Sequence, residues 1–264
     1  VRLSNDRNQS GLLVLVKRKI SEEFYECFSP YGYSGIVGNI ENISKEEMKQ
    51  IKDFFKANKI CNLFIRHDPL LANHKILPEE NTEINRITYS RELGKINSFE
   101  DYLNLMPQKI RASCKYAFRN ELNASISDKD SIESELEQFM YIYGERMKMI
   151  GANSFYAFNP IDLKEFMLSL RERGSLYIVR DSKTEEIAAG CLTIADEDKR
   201  IVHYHLSSAT KYGLRKQANE LLLSYTCYIE GNKGRKIIHL GGGLNRDESD
   251  GLSRFKKKFS TNSH

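Results

Sequence analysis

A chain of 264 residues, 40% apolar and 29% charged, reads as soluble and globular, long enough for one large domain or two ordinary ones with a sizeable core. Its formal net charge of +4 is too small to define a nucleic-acid binder by itself, yet it fits local basic patches for phosphate groups. No apolar run approaches the roughly 18 residues of a membrane span, since residues 12–16 are followed at once by Lys17, Arg18 and Lys19.

Five cysteines (Cys27, Cys61, Cys114, Cys191, Cys227) are odd in number and widely spaced, without a CxxC pair. They predict reduced, packed thiols and a cytoplasmic protein rather than a zinc or redox site. No signal peptide is evident, and the start at Val1 carries the expectation that N-terminal residues are missing.

Residues 12–20 and 23–28 are expected as strands, the second alternating around Phe24 and Cys27. Between Pro30 and Gly35 lies a turn-rich loop carrying Tyr31, Gly32 and Tyr33, suited either to covering a core edge or to stacking on a sugar or base. Ser44 to Glu47 is a capping box, and Met48, Ile51 and Phe55 continue it as an amphipathic helix ending near Asn58. Strands are expected at 60–65 and 84–89. His67, Asp68 and His74 lack the further well-spaced ligand that a metal site would need.

Ser98 and Asp101 start a helix, and Pro107 suits the first turn of another in which Ile110, Cys114, Ala117 and Phe118 form the buried stripe. Its basic flank of Lys109, Arg111, Lys115 and Arg119 reads as a solvated face or as an anion-binding wall. Residues 123–130 are polar and aperiodic, which places the expected boundary between domains 1–122 and 123–264 there.

In the second half a long amphipathic helix from Ile132 is stopped by Gly151, and Asn159 with Pro160 opens another. Residues 176–180, 186–194 and 200–206 then form an antiparallel meander. After a polar loop come a helix over 218–229 and a strand from Ile237 that ends in Gly241, Gly242 and Gly243. Leu252, Phe255 and Phe259 give the last helix its spacing. The chain stops where a mixed sheet would be closed by another strand or two, so C-terminal strands are expected to be missing. The order is α+β.

The segments SPYGYSG, HYHLSSA, QANELLL and HLGGG followed by DGLSRFKKKF resemble the GNAT acyltransferase fold, and within it the FemAB or FemX type. That type has two tandem GNAT-like domains, each a mixed, mostly antiparallel sheet flanked by helices. It includes FemX-type aminoacyltransferases and related acetyltransferases of cell-envelope polysaccharide synthesis. The resemblance covers the second half well and the first half thinly. It implies nitrogen acylation without a metal, with acetyl-CoA or another acyl-CoA as donor to an amino group of an amino sugar or peptide in a cell-envelope or polysaccharide precursor. Aminoacyl-tRNA on a peptidoglycan precursor is the alternative donor, and a non-catalytic GNAT-like module binding a nucleotide sugar or protein is a further alternative.

By that resemblance Lys256 matches the active-site lysine of the FK pair, placed to steady an oxyanion or donor phosphate. It also stands in a run with Lys257 and Lys258, which would suit a surface. His203 and His205, two apart on a strand, share a face opposite Tyr204, and either could be a general base or a satisfied core residue. Asp250 could accept a proton, orient a base or simply cap the last helix. Donor contacts are expected from Arg215, Lys216, Gln217, Ala218 and Asn219 at a helix start, where backbone N–H groups attract phosphate, and from Gly241, Gly242, Gly243 and Arg254. Tyr31, Gly32, Tyr33 and Arg111 are candidate substrate contacts. The chain departs from the standard GNAT pyrophosphate loop, with Ala218 and no glycine over 215–220. It also lacks the coiled-coil arm of some Fem-type enzymes.

Overall fold

The computed structural model describes residues 1–4, 7–153 and 156–264, which form two compact units, Val1–Asn85 and Arg86–Ser263.

In the first unit β1 (Arg2–Ser4), β2 (Ser10–Leu12) and β5 (Val37–Gly38) make one sheet. A second sheet holds β3 (Val16–Lys19), β4 (Tyr25–Phe28) and β6 (Ile60–Phe64). The strand expected over 12–20 is thus two strands in different sheets. The reason is that Leu13 turns into the core while Leu12 and Val14 stay half exposed, so the run alternates instead of being buried throughout. Helix α1 (Lys45–Ala57) begins at the expected capping box. The Glu47 amide donates to Ser44 Oγ at 3.1 Å and the Ser44 amide donates to Glu47 Oε2 at 2.6 Å. Met48 and Ile51 then pack on Leu13, Ile36, Ile40 and Ile43.

The second unit runs β7 (Thr88–Glu92), α2 (Phe99–Leu105), α3 (Gln108–Arg119), β8 (Leu122–Ile126), α4 (Ile132–Met149), α5 (Pro160–Ser169) and β9 (Gly174–Asp181). It continues with β10 (Ile187–Asp196), β11 (Ile201–Ala209), α6 (Lys211–Arg215), α7 (Ala218–Asn232), β12 (Ile237–Gly242), α8 (Gly251–Phe259) and β13 (Asn262–Ser263). The strand order is β13-β7-β12-β11-β10-β9-β8, with β11 and β12 parallel and the other pairs antiparallel.

The units therefore divide at 85/86 and not at 122/123. Residues 122–126 look polar only because they alternate: β8 lies at the sheet edge, paired with β9 from Leu122↔Asp181 to Ile126↔Tyr177, with one side chain in two exposed. β7 sits inside the same sheet, between β12 and β13. It starts at Thr88 rather than at residue 84, and Ile84 is exposed.

Helices α2, α3 and α7 cover one face of this sheet, where Ile110, Cys114, Leu221 and Leu222 meet Tyr177, Tyr204 and Ile238. Phe118, expected in that stripe, is partly exposed. Helices α4 and α5 cover the other face, and α4 lies so close that a Cβ on Gly190 would meet the Phe139 ring at 2.6 Å. No helix among the described residues is long and apolar enough to cross a membrane.

Candidate active site

The parallel strands β11 and β12 pair only at Ile201↔Ile237, Val202↔Ile238 and His203↔His239, although β11 continues to Ala209 and β12 to Gly242. Both are bulged just past that point. Against β10, Leu206 and Tyr204 face the consecutive residues Leu192 and Thr193, which leaves His205 as the extra residue. Against β7, His239 and Gly241 face Ser90 and Tyr89, which leaves Leu240 extra. A bulge bends its strand and re-aims the side chains around it, so the two strands part in mid-sheet where three histidines gather.

The parallel register sets the rings of His203 and His239 side by side, 5.3 Å between centroids, and His205 lies 5.6 Å from His203. His203 also hydrogen-bonds the backbone of His239, an orienting contact of the kind that decides which ring nitrogen carries the proton. The two residues on β11 keep some surface as whole residues, but the Nδ1 of each ring is shielded. Burial pushes the His205 imidazole down to about 4. It also pushes His203 well below the usual range, helped by repulsion from His239, His205 and Lys256. Both are neutral near pH 7 and offer lone pairs. His239, 2% exposed, was not among the expected site residues. Its signal is visible only in the strand register, because in the sequence it is one polar residue in an apolar strand.

Lys256 reaches this place from α8. Its Nζ donates to the Gly242 carbonyl at 2.8 Å, at the end of β12. Burial of the ammonium lowers its pKa to about 8, against the opposing pull of Asp250. Its sequence neighbours do otherwise: Lys257 pairs with Glu248 at 3.4 Å and Lys258 with Glu220 at 3.9 Å. Helical phase thus separates one half-buried lysine from two exposed ones.

Asp250 is the N-cap of α8 and the clasp of the glycine loop. Its carboxylate accepts from the amides of Leu244 (3.1 Å), Asn245 (3.2 Å), Leu252 (2.9 Å) and Ser253 (2.9 Å), and from Ser253 Oγ (2.7 Å). Burial opposes its charge, but these bonds outweigh burial and hold it well below the usual carboxylate range. It is committed to the loop and is no proton acceptor at neutral pH. A Cβ on Gly243 would lie 1.7 Å from Ser253 Oγ and 2.6 Å from Asp250 Oδ2, so this glycine is required for the clasp to close. The Arg86 guanidinium holds the Gly243 carbonyl at 3.1 Å, and Tyr89, pushed up to about 12 by burial and Glu248, donates to Glu248.

The expected donor contacts are only partly brought to this place. The polar loop before α7 contains α6, and Lys216 donates to Asn120 Oδ1 at 2.5 Å, which orients its ammonium toward the end of α3. Gln217 takes a left-handed conformation at φ 62°, Ala218 is buried and Asn219 follows it in the first turn; Arg215 stays exposed. Arg254 is exposed on the flank of α8. Arg111 lies on α3, over the sheet face opposite His203, and donates to the Asn104 carbonyl at 3.2 Å, which closes off α2.

In the first unit, the loop of Tyr31, Gly32 and Tyr33 is stitched to residues 66–73. The Ser34 amide donates to Arg66 O (2.7 Å), and Asn73 Nδ2 donates to Ser34 O (3.0 Å). The Arg66 guanidinium lies 5.9 Å from the Tyr33 ring. Buried Asn73 also accepts from the Asp68 amide (3.0 Å) and contacts His67 Nδ1 at 3.3 Å, while Asp68 accepts from the amides of Leu70 and Leu71. Among the described residues no three His, Cys, Asp or Glu side chains are placed to hold a metal ion.

No protein-family model matches the sequence, and no curated protein sequence is significantly similar to it. Solved structures are similar in fold. FemX superposes with a TM-score of 0.62 at 14% identity, covering 100% of this chain and 85% of that one. The C-terminal domain of a protein described as a lysylphosphatidylglycerol synthetase, from Agrobacterium fabrum, gives a TM-score of 0.59 at 12% identity, with coverage of 98% and 76%. A GCN5-related glucosamine N-acetyltransferase region of a fungal multi-domain β-N-acetylglucosaminidase gives 0.50 at 9% identity, covering 99% of this chain and 31% of that one. At such low identities the likeness establishes the fold alone: α+β and GNAT-like.

Proposed function

We propose that the chain is an N-acyltransferase that moves an acyl group from a thioester or ester donor to an amine. The donor is acetyl-CoA or another acyl-CoA, and the acceptor is an amino group of a cell-envelope or polysaccharide precursor. The observation that carries this reading is the opened β11/β12 seam with the buried Lys256 ammonium at its mouth and neutral imidazoles beside it.

The chemistry asks for three things: a proton acceptor for the amine, a donor for the developing oxyanion, and exclusion of water. His203 or His205 takes the proton as nitrogen attacks the acyl carbon. Lys256, aimed by the Gly242 carbonyl, donates to the oxyanion. As the tetrahedral intermediate collapses, the carbon–sulfur or carbon–oxygen bond breaks and the leaving group takes the proton back. Asp250 holds the loop and α8 in place. The amides from Gln217 to Asn219, with Arg215, are proposed to contact the donor phosphates.

A second reading of the donor, an aminoacyl ester on tRNA, is favoured by the start of α7. A pyrophosphate favours a glycine-rich, uncharged or cationic helix start, whereas residues 215–220 hold no glycine and Glu220 sits in the first turn. The likeness to FemX supports that reading; the likeness to a glucosamine N-acetyltransferase region supports acyl transfer to an amino sugar. The deciding experiment offers labelled acetyl-CoA with amino sugars, and aminoacyl-tRNA with a peptidoglycan precursor, to the wild type, Lys256→Ala and His205→Ala. Transfer from acetyl-CoA that disappears in Lys256→Ala is the expected result. Transfer from tRNA alone would move the donor to the second reading, and transfer unchanged in both variants would overturn the site.

A further inference from the structure

Three buried or half-buried glycines of the second unit have plain packing reasons. A Cβ would meet the Phe139 ring at Gly190 (2.6 Å), Ala188 O at Gly213 (2.1 Å) and Gly94 O at Gly231 (2.5 Å). Gly144 has none. It lies inside α4, where glycine costs stability relative to alanine, at no positive φ, and a Cβ there would meet nothing within 4 Å. What it does face is a cavity of about 410 Å3, within the range of small-molecule sites.

The walls include Met140, Tyr143 and Met147 of α4 and Ala157, Phe158 and Pro160 of the approach to α5, with the polar Asn153 and Tyr156 beside them. Tyr143 and Phe158 lie 6.0 Å apart between ring centroids. Glu145 and Lys148 pair with each other at 3.0 Å and are largely exposed, so the walls present no net charge. Methionines adapt to chains of variable shape. The elements that wall the cavity also pack beside the candidate active site. Ser208 of β11 donates to the carbonyl of Ile142, within the α4 segment that forms the wall, at 3.4 Å. Helix α5, beginning at the wall residue Pro160, carries Phe166 to 6.3 Å from the His205 ring.

We infer that Gly144 keeps open a binding site for an alkyl chain, occupied by the apolar tail of an amphiphilic acceptor whose amine reaches the histidines. The cavity's occupancy stands by itself, whereas the assignment of the chain to an acceptor rests on the acyl-transfer reading.

The probe for occupancy is decanol, which carries neither reacting group. With methyl-labelled methionine, decanol should shift the resonances of Met140 and Met147 and leave those of Met48 and Met106 in place; unmoved Met140 and Met147 would overturn the site. Gly144→Leu, built into open space, should fold with a melting temperature no lower than the wild type and lose the shift. A folded Gly144→Leu that still binds decanol would also overturn the site, and if that variant does not fold the wild-type spectra decide. For the assignment, decylamine should be acylated with a KM lower than that of ethylamine by more than about tenfold. That advantage should be lost in Gly144→Leu. An advantage confined to decanoyl-CoA would overturn the acceptor assignment. Absence of all transfer, with decanol still binding, would sink the acyl-transfer reading and leave the site standing.

Discussion

Two glycine-bearing loops of this molecule are built on one plan and surrounded differently. In the first unit Gly35, at φ 119°, is pressed against Asn73, whose Nδ2 a Cβ would meet at 2.1 Å. In the second Gly243 is pressed against Ser253 and Asp250. Each loop is clasped by a polar side chain that bonds backbone groups on both sides of the close approach. Beside the first clasp stand half-buried aromatics, Arg66 and His67; beside the second stand a buried ammonium and shielded imidazoles. The clasp shapes a loop in both cases. The titratable groups held out of water next to it are what make the second a candidate for chemistry and leave the first a candidate for recognition.

Breaking the second region should cost turnover, and breaking the first should not. The largest effect is expected from Lys256→Ala, which should lower kcat by about a hundredfold to a thousandfold, as loss of an oxyanion donor does. Asn73→Ala should lower stability, by removing the hydrogen bonds that clasp its loop, and leave kcat close to wild type; urea unfolding and steady-state kinetics of both variants test the division.

The same lysine should separate stability from activity. Its folded pKa, about 8, lies below that of an unfolded lysine, so between those values the unfolded chain binds more protons and stability rises with pH. Lys256→Met should therefore stabilise the protein near neutral pH, by up to about 3 kcal/mol, and by much less in strong alkali. Urea unfolding at several pH values checks this. The rate should fall as pH rises through about 8, because the neutral amine has lost the charge that steadies the oxyanion.

Gly243→Ala and Gly35→Ala should each lower stability by about 2 kcal/mol or more, since the clasp must open to admit a methyl group. Only the first should also lower kcat. Asp250→Asn should cost about 1–3 kcal/mol, because the amide keeps one acceptor oxygen where the carboxylate served five donors. The native carboxyl is held below its unfolded pKa, so the stabilisation is present above the unfolded value and is lost as pH falls through the folded one. Acid unfolding of the wild type and Asp250→Asn should show it. The smallest effect is expected at Ser253→Ala, about 1 kcal/mol from one hydrogen bond, read as a small shift in melting temperature.

Much of the local structure was legible before any coordinates. The Ser44–Glu47 capping box, the Asn159 cap before Pro160, the amphipathic stripe of α4 and the β9–β10–β11 meander follow from short-range spacing, and each is found. Residues 123–130 read as a boundary because the half-exposed edge strand over 122–126 is only five residues long and has too few apolar positions to stand out. Helix α6 was hidden because Lys211 to Arg215 is only five residues long with a glycine at its centre, too short for a helical stripe to stand out, and Thr210 supplies the cap that shows where it starts.

The candidate site divides in the same way. Lys256, His203, His205 and the glycine run could be picked out by residue type and order, because a motif is local. Which of three consecutive lysines turns inward, that Asp250 is a clasp, that Lys216 reaches Asn120, and that His239 stands beside His203 depend on groups brought together from distant parts of the chain. Burial and strand register are properties of that assembly, and they alone decide which of the charged and imidazole side chains lose their water.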